Sequence, residues 1–366
     1  MPPITLDGTR GITTPTYNGS TTAEYLVPVT GFKNRIINGD MSINQRGSST
    51  TSNGYALDRW VVTAITGSKM TVAQSSDAPT GFSNSMLITS SAATTIASGD
   101  YYDIGQRIEG FNTSDLMFGT ANAQTITISF WAKSSLTGTF GGSLMNSSQN
   151  RSYPFTFTIN SANTWEYETI TIRGDTGGTW IGATNGTGMQ VLFGLGVGTT
   201  YQATAGAWVT GYFYPTGAVN LLATNAATLQ ITGVQLEKGS NATSFDYLPY
   251  GTELALCQRY YYGYVSGGGK LVGRGGYYSG TQVEAAIFFP VTMRTMPTLV
   301  ATSGSNFYVA YRNGGGDDLN SLTLSSEGSA ASVSVFNNSE ASGTGGDAAQ
   351  IATNNSSASV AFSAEL

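Results

Sequence analysis

Apolar and polar residues alternate along many short stretches of this chain, and this alternation limits the fold more than any other feature. The clearest stretch, 125–132, places Ile126, Ile128 and Phe130 on one side. A period of two puts successive side chains on opposite faces of a strand, so one face packs while the other stays polar. The pattern recurs at 60–65, 70–73, 86–89, 155–159, 169–172, 189–194 and 227–231. Many short strands joined by polar turns predict an all-β sandwich.

Composition fits such a fold and excludes several kinds of chemistry. Charged residues make up only 10% of the 366 residues, and glycine alone contributes 47. The chain has no histidine, which removes the usual general base near neutral pH and the commonest transition-metal ligand. Ser-His-Asp sites, Cys-His sites and typical zinc sites are therefore excluded. The single cysteine, Cys257, cannot form a disulfide within the chain.

Charge and hydropathy limit the partners. The net charge is −6 and the sequence pI is about 4.7, without the basic stripe that a nucleic-acid-binding protein presents. Residues 1–8 lack the charged and apolar regions of a signal peptide. No stretch reaches the length of a transmembrane helix. We therefore expect no nucleic-acid partner, no membrane insertion and synthesis in a cytoplasm.

Residues 1–31 and residues 32–248 differ in how their apolar residues are arranged. Residues 1–31 contain glycines and prolines that break regular elements, so we expect an extended N-terminal segment that is either a loosely ordered tail or an anchoring arm. Its Tyr17 and Tyr25 are the residues that we expect at an interface. Residues 32–248 carry most of the alternating stretches and predict a single jelly-roll β-sandwich domain.

The remaining chain predicts a joint and a second domain. Residues 249–263 contain helix formers, with Glu253 early and Arg259 late, and predict a short helix that Gly263 ends. Residues 264–366 return to short strands and predict a smaller C-terminal β-sandwich, distal, oligomerising or receptor-binding. This part has few large core residues, and association between copies would bury additional apolar surface.

Three consecutive tyrosines close the predicted helix. They are Tyr260, Tyr261 and Tyr262. Because neighbouring residues on a helix point in different directions, the three cannot all face one core. We expect an inter-domain or inter-subunit contact here.

Two segments that bracket residues 32–248 carry a resemblance. The first spans 32–47 and continues to Trp60, and the second comprises 232–239 and 245–249. Residues 34–41 and Trp60 of the first segment, with the strand 128–133, which reads Ile-Ser-Phe-Trp-Ala-Lys, resemble jelly-roll carbohydrate-binding modules. Met41 departs from that pattern, since an aromatic residue often stands there. The whole bracket, with 256–261 and 289–294, is similar to a group of phage tail-fibre and minor virion structural proteins.

This resemblance implies a function as well as a fold. It implies a non-enzymatic phage virion fibre or appendage subunit that attaches to the particle by its N-terminus and binds host-surface glycans. The implied partners are itself, as a homotrimer, and capsid, tail or adaptor proteins that contact the arm. The implied location is the virion, after synthesis in the host cytoplasm. Two alternatives stay open: a purely structural head-fibre or decoration protein, and a cell-surface polysaccharide hydrolase.

Aromatic residues beside polar or glycine-rich turns are the candidates for glycan contact, because sugar rings stack on flat aromatic faces. The alternative is that Trp and Tyr fill the cores with their polar tips at the rim. The candidate ligand-binding residues are Tyr101, Tyr102, Trp180, Trp208, Tyr277, Tyr278, Tyr308 and Arg312. Tyr212 and Tyr214 lie in the same kind of context.

Carboxylates raise two further possibilities. Asp40 and Asp246 have the oxygen ligands that calcium prefers, but two carboxylates are fewer than a typical site needs, and Asn38-Gly39 also favours a plain turn. We expect no metal and no other cofactor. Glycosidase chemistry needs two carboxyl groups flanking one bond. The spacing singles out no pair, so no catalytic residue is predicted; the acids available are Asp103, Glu109, Glu166, Glu168 and Asp175.

Overall fold

The structure is a computed structural model of the chain, and it describes residues 5–7, 11–13, 33–47, 53–67 and 69–366. The chain divides into two compact units, Met1–Lys33 and Asn34–Leu366. In the first unit, β1 (Thr5–Asp7) pairs antiparallel with β2 (Gly11–Thr13). The expected interface residues Tyr17 and Tyr25 lie outside the described residues.

The second unit begins with a sandwich of two antiparallel sheets. Its strands are β3 (Gly54–Leu57), β4 (Trp60–Ala64), β5 (Met70–Ser75), β6 (Ser85–Ser90), β7 (Tyr101–Glu109), β8 (Ile126–Ser134), β9 (Gly138–Met145), β10 (Arg151–Ile159), β11 (Glu166–Ile172), β12 (Thr187–Val197), β13 (Gln202–Ala203), β14 (Val209–Thr210), β15 (Tyr214–Pro215) and β16 (Thr228–Lys238). The seven-stranded sheet has the order β14-β10-β9-β12-β7-β4-β3, and the five-stranded sheet has the order β11-β8-β16-β6-β5. β13 and β15 form a separate parallel pair. The prediction of an all-β chain with a jelly-roll sandwich is confirmed.

Strand alternation builds the core of this first sandwich. In β8, Ile126, Ile128 and Phe130 are fully buried. The ring of Phe130 meets those of Phe157 and Phe193 edge-on, with centroids 5.1 and 5.0 Å apart. Burying each such side chain stabilises the fold by roughly 1.5–3 kcal/mol. The residues between them therefore face away from the core, and the outer face of the sheet is set by the same pattern.

A single α-helix, α1 (Tyr250–Gln258), follows the first sandwich among the described residues. It begins after Pro249 and ends earlier than predicted, because Tyr261 already belongs to a strand and pairs with Ser363. The sequence prediction of a helix running to Gly263 was wrong at its C-terminal end. Pairing with the last strand of the chain outweighs the helix propensity of residues 260–262, a preference that tertiary contacts often override.

The C-terminal part is a second, smaller sandwich. Its strands are β17 (Tyr261–Ser266), β18 (Leu271–Ser279), β19 (Gln282–Phe288), β20 (Thr298–Ala301), β21 (Tyr308–Arg312), β22 (Gly315–Leu319), β23 (Thr323–Leu324), β24 (Ser332–Asn337), β25 (Ala348–Thr353) and β26 (Ser359–Ser363). A three-stranded sheet, β17-β26-β20, packs on a seven-stranded sheet, β22-β21-β25-β18-β19-β24-β23. Tyr308, Ile351 and Phe362 are fully buried between them.

Charged and aromatic residues join the two sandwiches. Glu109 of β7 accepts hydrogen bonds from Arg259 at 2.6 and 2.9 Å and from the Tyr260 hydroxyl at 2.6 Å. Burial opposes ionisation of Glu109, but these donors outweigh it and lower the pKa of the carboxyl. The Arg59 guanidinium lies 3.6 Å from the Tyr260 ring centroid and pairs with Glu365.

The three tyrosines expected at an interface face different ways. Tyr260 contacts Glu109 and Arg59 as above, and the Tyr261 ring lies 3.7 Å from the Arg46 guanidinium. Both therefore contact the first sandwich. Tyr262 packs in the C-terminal sandwich, against Tyr264 at 5.5 Å and Phe289 at 6.2 Å between ring centroids. Within the described ranges, no helix combines the length and the hydropathy needed to cross a bilayer.

Candidate functional site

An aromatic groove lies on the outer face of the five-stranded sheet. Its volume is about 460 Å³. β8, β11 and β16 form its floor, and two loop segments, around residue 82 and at 242–247, form its wall. The lining residues are Phe82, Ser129, Trp131, Tyr167, Gly233, Ala242, Thr243, Ser244, Phe245 and Tyr247. None of these described residues carries a charge.

Two aromatic rings form the floor. Trp131 stands between the buried Phe130 and Ala132 in β8, and Tyr167 of β11 is its direct cross-strand partner. The two ring centroids are 5.3 Å apart, with the planes tilted by 52°. Tyr167 is 46% exposed. Cross-strand pairing thus fixes a two-ring platform that faces solvent.

Three aromatic rings form the wall. Phe82, Phe245 and Tyr247 contact one another with centroids 4.8 to 5.5 Å apart. The Tyr247 hydroxyl donates to the Gly81 carbonyl at 3.0 Å. Edge-to-face packing and this hydrogen bond hold the wall in one arrangement.

A glycine at a β-bulge allows the wall to meet the floor. The pairing of β16 with β8 is irregular between Thr232 and Gln235, and Gly233 there has a φ of +62°. A Cβ at this position would lie 2.6 Å from the Phe82 ring. Glycine is therefore required both for the left-handed backbone and for the close approach of Phe82.

Buried polar bonds fix the loop at 242–245. Glu237 of β16 accepts from the Thr243 amide at 2.8 Å and from the Thr243 hydroxyl at 2.7 Å. Gln235 donates to Glu237 at 2.8 Å and accepts from the Asp246 amide at 2.9 Å. The groove is consequently formed before any ligand arrives.

A cluster of three polar and aromatic residues lies beyond the floor. Lys133 is two residues after Trp131 on β8 and forms an ion pair with Asp77. The Trp165 indole N–H donates to Asp77 at 3.4 Å, and the Lys133 ammonium lies 5.1 Å from the Trp165 ring centroid. The hydrogen bond from Lys133 lowers the pKa of the Asp77 carboxyl, which is 53% exposed.

The outer face of the seven-stranded sheet is closed instead. A covering segment, residues 199–219, lies against it, apart from β14, which is the edge strand of this sheet. The ring of Tyr214 packs with Met145 and Leu192. A Cβ on Gly141 would lie only 2.1 Å from the Pro215 ring. The covering segment thus fits into space that glycine leaves on this face.

A buried carboxyl group lies beneath the covering segment. Asp103 of β7 is fully buried and accepts hydrogen bonds from the hydroxyls of Tyr212 at 3.2 Å and Tyr214 at 2.9 Å. Its Oδ1 has no partner among the described residues. Burial raises the pKa of Asp103 to about 6, despite these hydrogen bonds.

The candidate residues of the first sandwich lie away from the aromatic groove. Tyr101 packs edge-on against Tyr201 and Tyr212 at 5.1 and 5.3 Å. Tyr102 is a core residue, so its ring is not offered to a ligand. Trp180 and Trp208 pack on each other at 5.5 Å. Their indole N–H groups are engaged too, since Trp180 donates to Asp175 at 3.1 Å and Trp208 to a backbone carbonyl at 2.8 Å.

Most of the candidate ligand-binding residues in the C-terminal sandwich pack or hydrogen-bond within that domain. Tyr308 is fully buried and donates to a backbone carbonyl at 2.7 Å. Tyr277 is buried and donates to Asp317 at 2.6 Å, and Arg312 donates to the same carboxylate at 3.0 Å. Tyr278 is 75% exposed. The structure does not bring these candidates together in one site.

The sequence does indicate the groove, but not through the criterion used to choose the candidates, which was an aromatic residue beside a turn. Strand alternation places Ile128 and Phe130 inside, so Trp131 has to face outward. Tyr167 occupies the corresponding outward position of β11. An aromatic residue at an outward position of a strand is the informative signal, because burial does not explain it.

The carboxylates are dispersed over separate networks. Asp175 forms an ion pair with Arg151 at 2.7 Å. Glu166 accepts hydrogen bonds from the backbone amides of Asn160 and Ser161. Glu109 and Asp103 are hydrogen-bonded to the arginine and tyrosine side chains described above. Burial, and then the neighbouring Glu166, raise the pKa of Glu168. None of these residues lines the groove.

The two calcium candidates have ordinary roles in the described structure. Asp40 accepts from the Ser42 amide at 3.2 Å, and Asp246 accepts from the Asn34 amide at 3.4 Å. Burial, with a smaller contribution from these two carboxylates, raises the pKa of Glu253 to about 7. Across the described residues, no group of three or more His, Cys, Asp or Glu side chains is placed to hold a metal ion.

Comparison with known proteins gives only distant likenesses. No protein family and no curated protein matches this sequence. Among solved structures, the chain is similar to a protein of Bacteroides thetaiotaomicron described as sugar-binding, with 12% identity, 57% of this chain and 100% of that chain covered, and a TM-score of 0.32. A CBM4 structure is 15% identical in sequence, with 55% of this chain and 98% of that chain covered and a TM-score of 0.30. A family 11 carbohydrate-binding module of Clostridium thermocellum is 10% identical in sequence, with 53% of this chain and 97% of that chain covered and a TM-score of 0.28. These TM-scores are too low to assign a ligand.

Proposed function

We propose that this chain is a non-enzymatic glycan-binding protein whose ligand site is the aromatic groove. The observation that carries the proposal is the outward-facing pair of Trp131 and Tyr167 opposite the wall of Phe82, Phe245 and Tyr247. The flat C–H face of a pyranose ring stacks on such a platform, and a site with aromatic walls and few polar groups is typical of a small-molecule pocket.

Preorganisation supports the same function. The platform is fixed by strand pairing, and the wall by ring packing and the hydrogen bonds of Thr243 and Tyr247. A site that is already ordered loses little conformational entropy when a ligand binds. Ser129, Thr243 and Ser244 also line the groove, so the rings stand beside small polar residues and no charged one among the described residues.

The wider role that we propose is a subunit of a phage fibre or appendage. The segments 32–47, 232–239 and 245–249, which are similar to those of phage virion proteins, support it. In this proposal the N-terminal arm attaches to capsid, tail or adaptor proteins, and the subunit acts as a homotrimer in the virion. Leu271, Phe288 and Tyr311 are exposed on the C-terminal sandwich and would be covered by other copies. Several copies together would strengthen weak glycan binding.

A glycan array tests the proposed binding. The wild-type chain is expected to bind at least one immobilised glycan, and Trp131→Ala is expected to weaken that binding about tenfold or more, which corresponds to about 1.4 kcal/mol. Tyr278→Ala, which removes an exposed ring elsewhere, is the matched control and should bind as the wild type does. Absence of binding across the array, or equal loss in both variants, would overturn the proposal.

The proposed trimer has its own test. Sedimentation equilibrium is expected to give three times the chain mass of 38.2 kDa, and Phe288→Glu should reduce it to the mass of one chain. A wild-type monomer at micromolar concentration would contradict the trimer and leave glycan binding in place.

A further inference from the structure

We propose that the aromatic groove continues into a second subsite formed by Trp165, Asp77 and Lys133, and that its ligand is a neutral oligosaccharide of at least two sugar residues. This inference rests on the proposed function.

Strand geometry places the two subsites side by side. Trp131 and Lys133 are two residues apart on β8, so their side chains leave the same face roughly 7 Å apart, at about 3.4 Å of rise per residue. Thr232 and Gln230 of β16 are their respective cross-strand partners. On the other side, Trp165 precedes Tyr167 by two residues. The second subsite therefore extends the floor along the strand direction by about the length of one sugar ring.

The Asp77 carboxylate is arranged to receive hydroxyl groups. Lys133 and the Trp165 indole each donate to one of its oxygens. The Asp77 backbone carbonyl accepts from Ser85 at 2.6 Å and from Gln230 at 3.3 Å. A carboxylate has about four acceptor positions, and this one is 53% exposed, so it keeps acceptor capacity toward solvent. Its charge strengthens hydrogen bonds from neighbouring sugar hydroxyls.

Trp165 supplies the apolar part of this subsite. The Lys133 ammonium, 5.1 Å from the ring centroid, holds the indole by a cation–π contact. The indole N–H also donates to Asp77 at 3.4 Å, so the polar edge of the ring points toward the carboxylate. Trp165 and Asp77 thus repeat the combination of a flat ring and polar atoms that the first subsite presents.

Charge selects the class of ligand. The residues that line the groove are uncharged, and in the second subsite the carboxylate is more exposed than its cation, with 53% against 14% of the side chain accessible. An acidic sugar would bring its carboxylate toward Asp77, and like charges repel. The site therefore fits a neutral glycan better than a uronic- or sialic-acid-containing one.

A purely structural ion pair is the competing explanation. Asp77, Lys133 and Trp165 would then only tether the segment around residue 77 to the sheet. Their loss would lower thermal stability by the small amount typical of an exposed pair. It would not change how affinity depends on ligand length.

Calorimetry with glycans of increasing length separates these explanations. The probes are the mono-, di- and trisaccharides of glucose, galactose, mannose and N-acetylglucosamine. Lactose, which is neutral, and sialyllactose, which is acidic, are compared to test the effect of ligand charge. Wild type is expected to bind one neutral series, with the disaccharide about tenfold tighter than the monosaccharide. Lactose, if bound, should bind more tightly than sialyllactose.

Variants in the second subsite give the decisive comparison. Asp77→Asn and Trp165→Ala should each reduce the gain from the second sugar to about threefold or less while monosaccharide affinity stays unchanged; Tyr278→Ala should keep the gain. Thermal melting confirms that each variant is folded. A tenfold gain that persists in both variants, or a preference for sialyllactose, overturns the second subsite alone. Absence of any binding by the wild type overturns the proposed function, and the second subsite with it.

Discussion

The two outer faces of the first sandwich are built from the same strand alternation but are used differently. The five-stranded sheet presents Trp131 and Tyr167 outward, and its face stays open as a groove. The seven-stranded sheet has glycine at outward positions such as Gly141 and Gly194, and residues 199–219 lie against this face. The size of the outward side chains thus decides whether a face is open to a ligand or filled by the chain itself.

The two faces also differ in what they bury. Closing the seven-stranded sheet leaves Asp103 buried away from water, with its Oδ1 unpartnered among the described residues, which costs free energy when the carboxyl is ionised. The open face keeps its charged pair, Asp77 and Lys133, at the surface. A covered face tolerates a polar group only at a cost, whereas an open face can present one to a partner.

The largest expected effect concerns the charge under the covering segment. The pKa of Asp103 is about 6 in the folded chain, against 3.8 for the unperturbed group. Since the folded state holds the proton more tightly, the contribution of Asp103 to stability is greatest below pH 4 and falls by roughly 3 kcal/mol as the pH rises through 6, then levels off. Asp103→Asn should remove this decrease. Urea unfolding at several pH values from 4 to 7 gives the free energy of unfolding of both proteins, and the difference between them measures this decrease.

This comparison isolates Asp103 from the other titrating groups. Glu253, whose pKa is about 7, titrates in both proteins and cancels in the difference. Parallel stability curves for wild type and Asp103→Asn would show that the carboxyl is hydrated, and that the covering segment does not close this face in solution.

A smaller effect is expected from filling the space that glycine leaves. Gly141→Ala places a Cβ 2.1 Å from the Pro215 ring and should cost about 2 kcal/mol by overpacking. Gly182→Ala is the matched control, because nothing lies within 4 Å of a Cβ there. Chemical denaturation gives both values. Equal stability of the two variants would mean that the covering segment does not press on Gly141.

The smallest expected effect on stability lies on the open face. Gly233→Ala forces a side chain into a left-handed backbone and against Phe82, at a cost of about 1 kcal/mol. Gly269→Ala, with a φ of +72° and open space around it, carries the backbone cost without the contact and should therefore cost no more than Gly233→Ala. Only Gly233→Ala is expected to weaken glycan binding, since it displaces a wall ring. Unchanged binding by this variant would remove Phe82 from the site.

Much of the fold could be predicted from the sequence because alternation is a local signal. The 125–132 stretch gave β8 with its buried residues, and the change of pattern near residue 250 gave a helix. The end of that helix could not be predicted, because Tyr261 pairs with Ser363, about a hundred residues later in the chain. Such a contact leaves no trace in the local propensity.

The candidate site was harder to predict than the fold. Turn proximity favoured Trp180 and Tyr308, yet Trp180 packs on Trp208 and Tyr308 fills a core. Trp131 was readable as an outward residue from its strand alone. Its partners in the wall, Phe82 and Tyr247, come from distant loops and could be joined to it only by the three-dimensional structure.

The indole N–H signals of the five tryptophans provide the most direct test of glycan binding in the aromatic groove. Nitrogen-15 NMR, with the neutral sugar that binds best added stepwise, follows Trp60, Trp131, Trp165, Trp180 and Trp208 separately in one spectrum. We predict that the Trp131 signal shifts on addition of sugar, together with that of Trp165 for a disaccharide, while the other three stay in place. A titration that moves Trp180 or Trp208 and leaves Trp131 unchanged would contradict the account.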